Sequence, residues 1–95
     1  MERKRNRLEV IRDILTTIRN KNGRIKPTHI LYKSNLSHIM MQDYLKELIQ
    51  KQFIKEIKKD NSRTYTITDK GLKYLSEYDT ISSFMESFGL ESKEE

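Results

Sequence analysis

Hydrophobic residues recur at every third or fourth position through the first part of the chain. This spacing is that of one face of an α-helix and predicts a helix over residues 7–22. Asn6 is a suitable N-cap for this helix, and Gly23 is a typical C-terminal stop. The residues predicted to face the core are Leu8, Ile11, Ile14, Leu15 and Ile18.

A short helix, a turn and a longer helix are predicted next. Pro27 suits the first turn of a helix over residues 28–33, where its missing N–H is not needed. Ser34 and Asn35 are turn formers, and Ser37 is a natural N-cap for a third helix that runs to residue 50. This order is that of a helix-turn-helix. The third helix is predicted to turn Met40, Met41, Tyr44, Leu45 and Leu48 inward.

The hydrophobic period then shortens to two, which predicts a β-hairpin. Residues 53–57 and 64–68 alternate in the manner of strands, and the second segment is rich in β-branched and aromatic residues. The polar residues 58–63 between them are predicted to form a six-residue loop. This loop carries the basic side chains Lys58, Lys59 and Arg63.

A fourth helix is predicted to begin after Thr68 or Asp69, either of which is a good N-cap. Leu72 and Leu75 are expected to close the core, and Gly89 is expected to end the helix. A second apolar stripe has heptad-like spacing of four, three, four and three residues. It is interpreted either as the seam of a homodimer or as a face that folds back over the first helix. The dimer is favoured because the core is small and the stripe is large. The stripe consists of Tyr74, Tyr78, Ile81, Met85 and Phe88.

Length and charge add a functional direction to this pattern. The 95 residues allow one domain, and the net charge is +5. Residues 1–70 hold 17 Lys and Arg against 8 Asp and Glu, a balance of +9, whereas residues 71–95 hold 2 against 6, a balance of −4. A basic body with an acidic tail indicates a polyanion-binding face. The predicted organisation is a basic arm (1–6), a binding domain (7–75), and a dimerisation helix with an acidic tail (76–95).

Particular residues resemble a known family. The run LSHIMMQDYLKEL over residues 36–48 looks like a recognition helix, and Thr68-Asp69-Lys70-Gly71 looks like the helix start that follows the second strand in winged helix-turn-helix domains. With residues 30–37 and 44–46, the chain is similar to small archaeal winged-helix DNA-binding proteins over residues 8–78. The resemblance implies a mostly α fold with a small β-hairpin (α+β) and double-stranded DNA as partner. It also implies a transcriptional regulator or chromatin-type role, with dimerisation through a C-terminal helix.

Candidate DNA contacts follow from side-chain chemistry. A helix in the major groove reads bases with polar groups at its N-terminal end and outer face, and phosphates attract amines and hydroxyls. The alternative for each group is a solvated surface position. An N-terminal arm of Arg3, Lys4, Arg5 and Arg7 would follow the DNA backbone. On the third helix the candidates are Ser37, His38, Gln42 and Lys46; near the turn they are Tyr32, Lys33 and Ser34; in the hairpin loop they are Lys58, Lys59 and Arg63.

Other function classes find little support in the sequence. The chain has no cysteine, and its two histidines have no acidic residue spaced to complete a metal site. None of its three glycines lies in a phosphate-binding loop, so we expect no cofactor and no enzymatic activity. No apolar run is long enough to cross a membrane, and a cytoplasmic, nucleoid-associated location is expected. The rival hypothesis is a winged-helix module that binds proteins rather than DNA.

Overall fold

The computed structural model describes residues 5–90, which form four helices and a two-stranded antiparallel hairpin. The predicted order of three helices, two strands and a final helix is confirmed. The helices are α1 (Arg7–Asn20), α2 (Pro27–Ser34), α3 (His38–Gln50) and α4 (Asp69–Ser87). The strands are β1 (Ile54–Lys59) and β2 (Ser62–Ile67).

The first helix begins as predicted and ends earlier. The side chain of Asn6 accepts a hydrogen bond from the Glu9 N–H, and the Glu9 carboxylate accepts one from the Asn6 N–H, which completes a capping box. The helix stops at Asn20 because the following turn is tied to β2: the Gly23 N–H donates to the Tyr65 carbonyl at 2.9 Å. Gly23 has a positive φ of 79°, which glycine adopts without strain.

The predicted core face of α1 is wrong at one position. The Leu8 side chain is 56% exposed, whereas Val10, which was not predicted to be inward, is buried. The buried face of α1 is therefore rotated slightly around the helix axis relative to the predicted face, so that it includes Val10 and leaves out Leu8. Leu8 instead lies at the edge of the helix, beside Phe53 and α4.

The helix-turn-helix forms as predicted, with one correction inside α3. Asn35 adopts the left-handed conformation (φ 54°) at the turn, which asparagine tolerates, and the Ser37 hydroxyl accepts a hydrogen bond from the Met40 N–H. Met41, with Leu45 and Leu48, forms the buried face of α3. Met40 was predicted to be inward and is exposed, because it lies on the flank of the helix, about 100° around the axis from Met41.

The hairpin differs from the prediction in the length of its turn. Both strands extend to a two-residue connection at Asp60 and Asn61, so the expected six-residue loop over residues 58–63 is wrong. Asp60 has a positive φ of 55°, and the tight turn lets Lys58 pair directly opposite Arg63. Ile25 forms an isolated antiparallel bridge with Tyr65, at the edge of β2 that is not paired with β1.

The last helix begins with Thr68 as its N-cap and continues without a break past residue 75. Leu75 is buried as predicted, but Leu72 is 42% exposed, so its predicted place in the core is wrong. Gly71 packs against the Phe53 carbonyl, which brings α4 close to the segment that joins α3 to β1. The division of the chain between residues 75 and 76 stays a prediction.

One hydrophobic core joins all six elements. In this core, Tyr65 of the hairpin and Leu75 of α4 join Ile25 and the buried residues of α1, α2 and α3. Leu31, Tyr44, Ile49, Phe53, Ile67 and Tyr74 pack around this core and are partly buried. Because the core fixes α3 and the hairpin against each other, it also fixes the polar groups on their outer faces.

Candidate nucleic-acid interface

The outward face of α3 presents polar side chains on a fixed helix. His38, Gln42 and Lys46 follow at intervals of four residues, so they lie on one side of α3, and all three are exposed. The neighbouring buried face, formed by Met41, Leu45 and Leu48, holds the helix against the core. Ser37 is exposed and caps the first turn, where its hydroxyl accepts a hydrogen bond from the Met40 N–H.

A cleft separates α3 from the hairpin. Its volume is about 370 Å³, and His38, Gln42 and Lys46 line one wall. Glu56 and Arg63 of the two strands line the other wall. The structure therefore brings predicted residues of the third helix and of the hairpin to one surface.

The hairpin divides its three predicted basic residues between two faces. Side chains alternate along a strand, so Lys58 and its cross-strand partner Arg63 share the face that carries buried Ile54 and Tyr65. Lys59 lies on the opposite face. Lys58 and Arg63 thus extend the face that borders the cleft.

Glu56 is a negative group within this basic surface. The Arg63 guanidinium donates to its carboxylate at 3.3 Å, and the Tyr65 hydroxyl lies 3.4 Å from the same oxygen. Burial raises the pKa of Tyr65, which keeps its hydroxyl protonated. Glu56 was not among the residues predicted from the sequence to contact DNA. The signal was present, since period-two alternation from Ile54 places Glu56 on the inner face.

The predicted contacts near the helix-turn-helix turn are separated from this cleft. Tyr32 and Lys33 are exposed and line a second depression of about 320 Å³ against the end of α1. Ser34 is fully buried at 0% exposure, and its hydroxyl has no hydrogen-bond partner among residues 5–90. The prediction that the Ser34 side chain contacts DNA is therefore corrected: the last turn of α2 points it into the protein.

Arg5 is not part of an extended arm. Its guanidinium pairs with Asp13 and donates to the carbonyls of Ser34 and Asn35, at the C-terminal end of α2. A cation at this end of a helix interacts favourably with the unpaired carbonyls. Arg3 and Lys4, the other N-terminal members of the predicted arm, lie outside the described residues.

Arg7 is also engaged within the chain. It forms an ion pair with Glu47 of α3, and its guanidinium lies 5.8 Å from the centre of the Tyr44 ring. Hydrogen bonds from Arg7 and then from Lys51 lower the pKa of Glu47 to about 2, and the same pair raises the pKa of Arg7. The predicted role of Arg5 and Arg7 as arm residues is thus corrected to one of holding α1 against α2 and α3.

The apolar stripe of α4 divides into two halves. Tyr74 meets the ring of Phe53 edge-on at 5.8 Å, and its hydroxyl donates to the Leu8 carbonyl at 2.9 Å. Tyr78 stacks on Tyr74, with the Arg12 guanidinium over its ring. The proximal half of the stripe therefore packs within its own chain, as the fold-back alternative expected.

The distal half of α4 remains on the surface. Ile81 and Phe88 are more than 60% exposed, and Met85 is partly buried. Phe84, which the predicted stripe omitted, is also exposed and contacts Phe88 with ring centres 4.9 Å apart. These four residues, Ile81, Phe84, Met85 and Phe88, are named here the distal α4 patch.

The described part of the chain offers neither a metal site nor a membrane-spanning helix. Within residues 5–90, no group of three or more acidic or histidine side chains is arranged to hold a metal ion. No helix in the same range has the length and apolar character required to cross a membrane.

Comparisons with solved structures agree with this architecture. The chain matches Sso10a-2, a DNA-binding protein from Sulfolobus solfataricus, with a TM-score of 0.76 at 20% identity, over 88% of this chain and 85% of that one. AF1382 from Archaeoglobus fulgidus matches with a TM-score of 0.69 at 17% identity, over 85% and 91%. A mutant of MepR from S. aureus bound to an oligodeoxyribonucleotide matches with a TM-score of 0.72 at 14% identity, over 90% and 65%.

A search by sequence gives a family but no individual relative. Comparison with curated proteins found no match. The family model described as winged helix-turn-helix matches residues 4–86, which is most of the chain and covers α1 to α3, both strands and α4 up to residue 86. The chain is therefore a member of the winged helix-turn-helix family.

Proposed function

We propose that this protein binds double-stranded DNA, as a transcriptional regulator or a chromatin-type protein of the nucleoid. In this proposal α3 enters the major groove and the hairpin lies along the flanking backbone or minor groove. The observation that carries it is the cleft, which has polar α3 side chains on one wall and Arg63 on the other.

Charge supports a nucleic-acid partner over a neutral one. Lys46, Lys58 and Arg63 are exposed on α3 and on the hairpin face beside the cleft. Amines and guanidinium groups contact phosphates without regard to sequence and position a protein on the duplex. Gln42 lies between them and is the side chain best suited to pair with adenine. Tyr32, Lys33 and Lys59 are proposed as peripheral phosphate contacts.

The comparisons support the same partner. Sso10a-2 is named as a DNA-binding protein, and the MepR structure holds an oligodeoxyribonucleotide. Both share the fold of this chain at low sequence identity, so their partner is carried over here only as part of the proposal.

A homodimer through α4 is the second part of the proposal. The distal α4 patch places four large apolar side chains together on one helix, and such groups are commonly covered by a partner. Tyr74 and Tyr78, which pack within their own chain, would then lie beside this interface and hold α4 against the rest of each protomer. A two-fold dimer would present two copies of α3 to DNA.

DNA binding is tested by fluorescence anisotropy with a labelled duplex of scrambled sequence at low and at physiological salt. We expect binding that weakens steeply with salt, because each neutralised phosphate releases counterions. Arg63→Ala and Lys46→Ala should each reduce the salt slope by about one unit if they contact a phosphate. The matched control is Lys73→Ala, since Lys73 is exposed on α4 beside Leu8 and Phe53, outside the cleft. Absence of binding at low salt would overturn the proposal and favour a protein-binding module.

Dimerisation is tested by sedimentation over a range of protein concentrations. We expect a dimer for the natural sequence and a monomer for Phe88→Glu, because a buried unpaired carboxylate opposes association. Ser83→Glu adds the same charge on the opposite face of α4 and should remain a dimer. A natural chain that is monomeric throughout, or a dimeric Phe88→Glu variant, would refute this interface.

A further inference from the structure

The outward face of α3 contains one large side chain that has no polar group. Ile39 is 74% exposed, the highest exposure of any hydrophobic residue in α3, and it is absent from the core and from the residues packed around it. Single exposed hydrophobic residues are ordinary on protein surfaces, so exposure alone assigns nothing. The position of Ile39 is what matters.

Ile39 lies in the first turn of α3, between the polar residues proposed to meet DNA. It follows His38 directly, and it precedes Gln42 by three positions, so the side chains of Ile39 and Gln42 are neighbours on the helix surface. The buried residues Met41, Leu45 and Leu48 lie on the other side of the helix. A recognition helix contacts base edges chiefly with its N-terminal residues. Ile39 is therefore placed where a base edge would lie rather than where the backbone would lie.

The chemistry of the major groove limits what Ile39 can recognise. The edges of guanine, cytosine and adenine present hydrogen-bond donors and acceptors, which a hydrocarbon side chain cannot pair with and would desolvate. Thymine presents a methyl group, which none of the other three unmodified bases carries in this groove. An isoleucine in contact with that methyl group removes both from water.

We propose that Ile39 is a specificity-determining residue that contacts a thymine methyl group, so that the protein prefers A·T pairs beneath the first turn of α3. This inference rests on the proposed function, since it requires α3 to enter the major groove. Gln42, one turn along, matches the adenine edge and would read a neighbouring A·T pair. The two side chains together select A·T-containing DNA.

The experiment removes the methyl group from the DNA and leaves the base pairing unchanged. Anisotropy is measured on a duplex of alternating adenine and thymine and on the same duplex with uracil in place of thymine. We expect the natural protein to bind the uracil duplex about fourfold more weakly for each methyl group contacted, the factor for burying one methyl-sized group. Ile39→Ala should bind both duplexes equally, because it no longer reaches the methyl group.

A neighbouring residue provides the control. Met40→Ala shortens another exposed hydrophobic side chain in the same turn, on the side of α3 away from Gln42, and should keep the preference for thymine. Circular dichroism of the variants checks that α3 still forms. Equal binding of the two duplexes by the natural protein, or a thymine preference retained by Ile39→Ala, would overturn the inference and leave DNA binding intact. Failure to bind either duplex would overturn the proposed function as well.

Discussion

Replacing Gly71 with alanine tests how α4 is joined to the rest of the fold. Gly71 lies in the first turn of α4 and is buried. A Cβ at this position would lie 2.5 Å from the Phe53 carbonyl oxygen and 2.6 Å from Cγ1 of Ile67. The carbonyl cannot easily move, because it also accepts the Thr68 N–H at 3.1 Å. The added methyl group therefore forces the start of α4 away from Phe53, which lies between α3 and β1, and from Ile67 of β2.

Two opposing contributions set the magnitude. Alanine is favoured over glycine within a helix by about 1 kcal/mol, so α4 considered alone would gain stability. Overpacking a well-fitted site costs about 1–3 kcal/mol, and contact with a backbone oxygen places this case near the upper end. The expected net effect is a loss of about 2 kcal/mol, which lowers the melting temperature by roughly 10 °C for a domain of this size.

Thermal unfolding followed by circular dichroism measures this change. All samples need one protein concentration, because association would shift the melting temperature. Ser76→Ala, at an exposed position of the same helix, is the control and should be neutral or slightly stabilising. A Gly71→Ala variant that melts at or above the natural protein would show that the close contact between α4 and Phe53 does not constrain the fold.

Three further outcomes are expected. The hydrogen bond from Arg7 is the largest of the effects that lower the pKa of Glu47 from 4.5 to about 2. Ionised Glu47 therefore stabilises the folded chain at pH values above 4.5, and this stabilisation is lost as the pH falls towards 2. Urea titrations should therefore show a steeper acid loss of stability for the natural protein than for Glu47→Gln, and parallel profiles would contradict the ion pair. Tyr74→Phe should lower the free energy of unfolding by about 1 kcal/mol through its lost hydrogen bond, whereas exposed Tyr32→Phe should not; equal effects in urea titrations would refute that assignment. Glu56→Gln removes a negative charge beside the cleft and should tighten binding to a duplex at low salt by about twofold in an anisotropy titration, while weaker binding would contradict an opposing role for this carboxylate.

Some residues of the candidate site could be predicted from the local sequence pattern and others could not. His38, Gln42 and Lys46 were predicted to share one side of α3 because helical periodicity depends only on neighbouring residues. Ser34 was misassigned because a serine at the end of a helix is as compatible with solvent as with burial. Only the packing of α2 against the rest of the protein decides between the two. Glu56 was missed for a related reason, since its significance depends on the cleft and not on its strand.

The sequence by itself determined the order of the elements, their caps and the helix-turn-helix. Asn6, Ser37 and Thr68 are caps because their side chains accept hydrogen bonds from backbone N–H groups three residues away, and such contacts need no tertiary structure. Tertiary structure decided which apolar residues are covered. Val10 replaced Leu8 in the core, and the stripe of α4 was divided after Tyr78, because burial depends on which surfaces of distant segments meet. Periodicity defines a face of a helix, but the partner that covers that face is chosen by the whole fold.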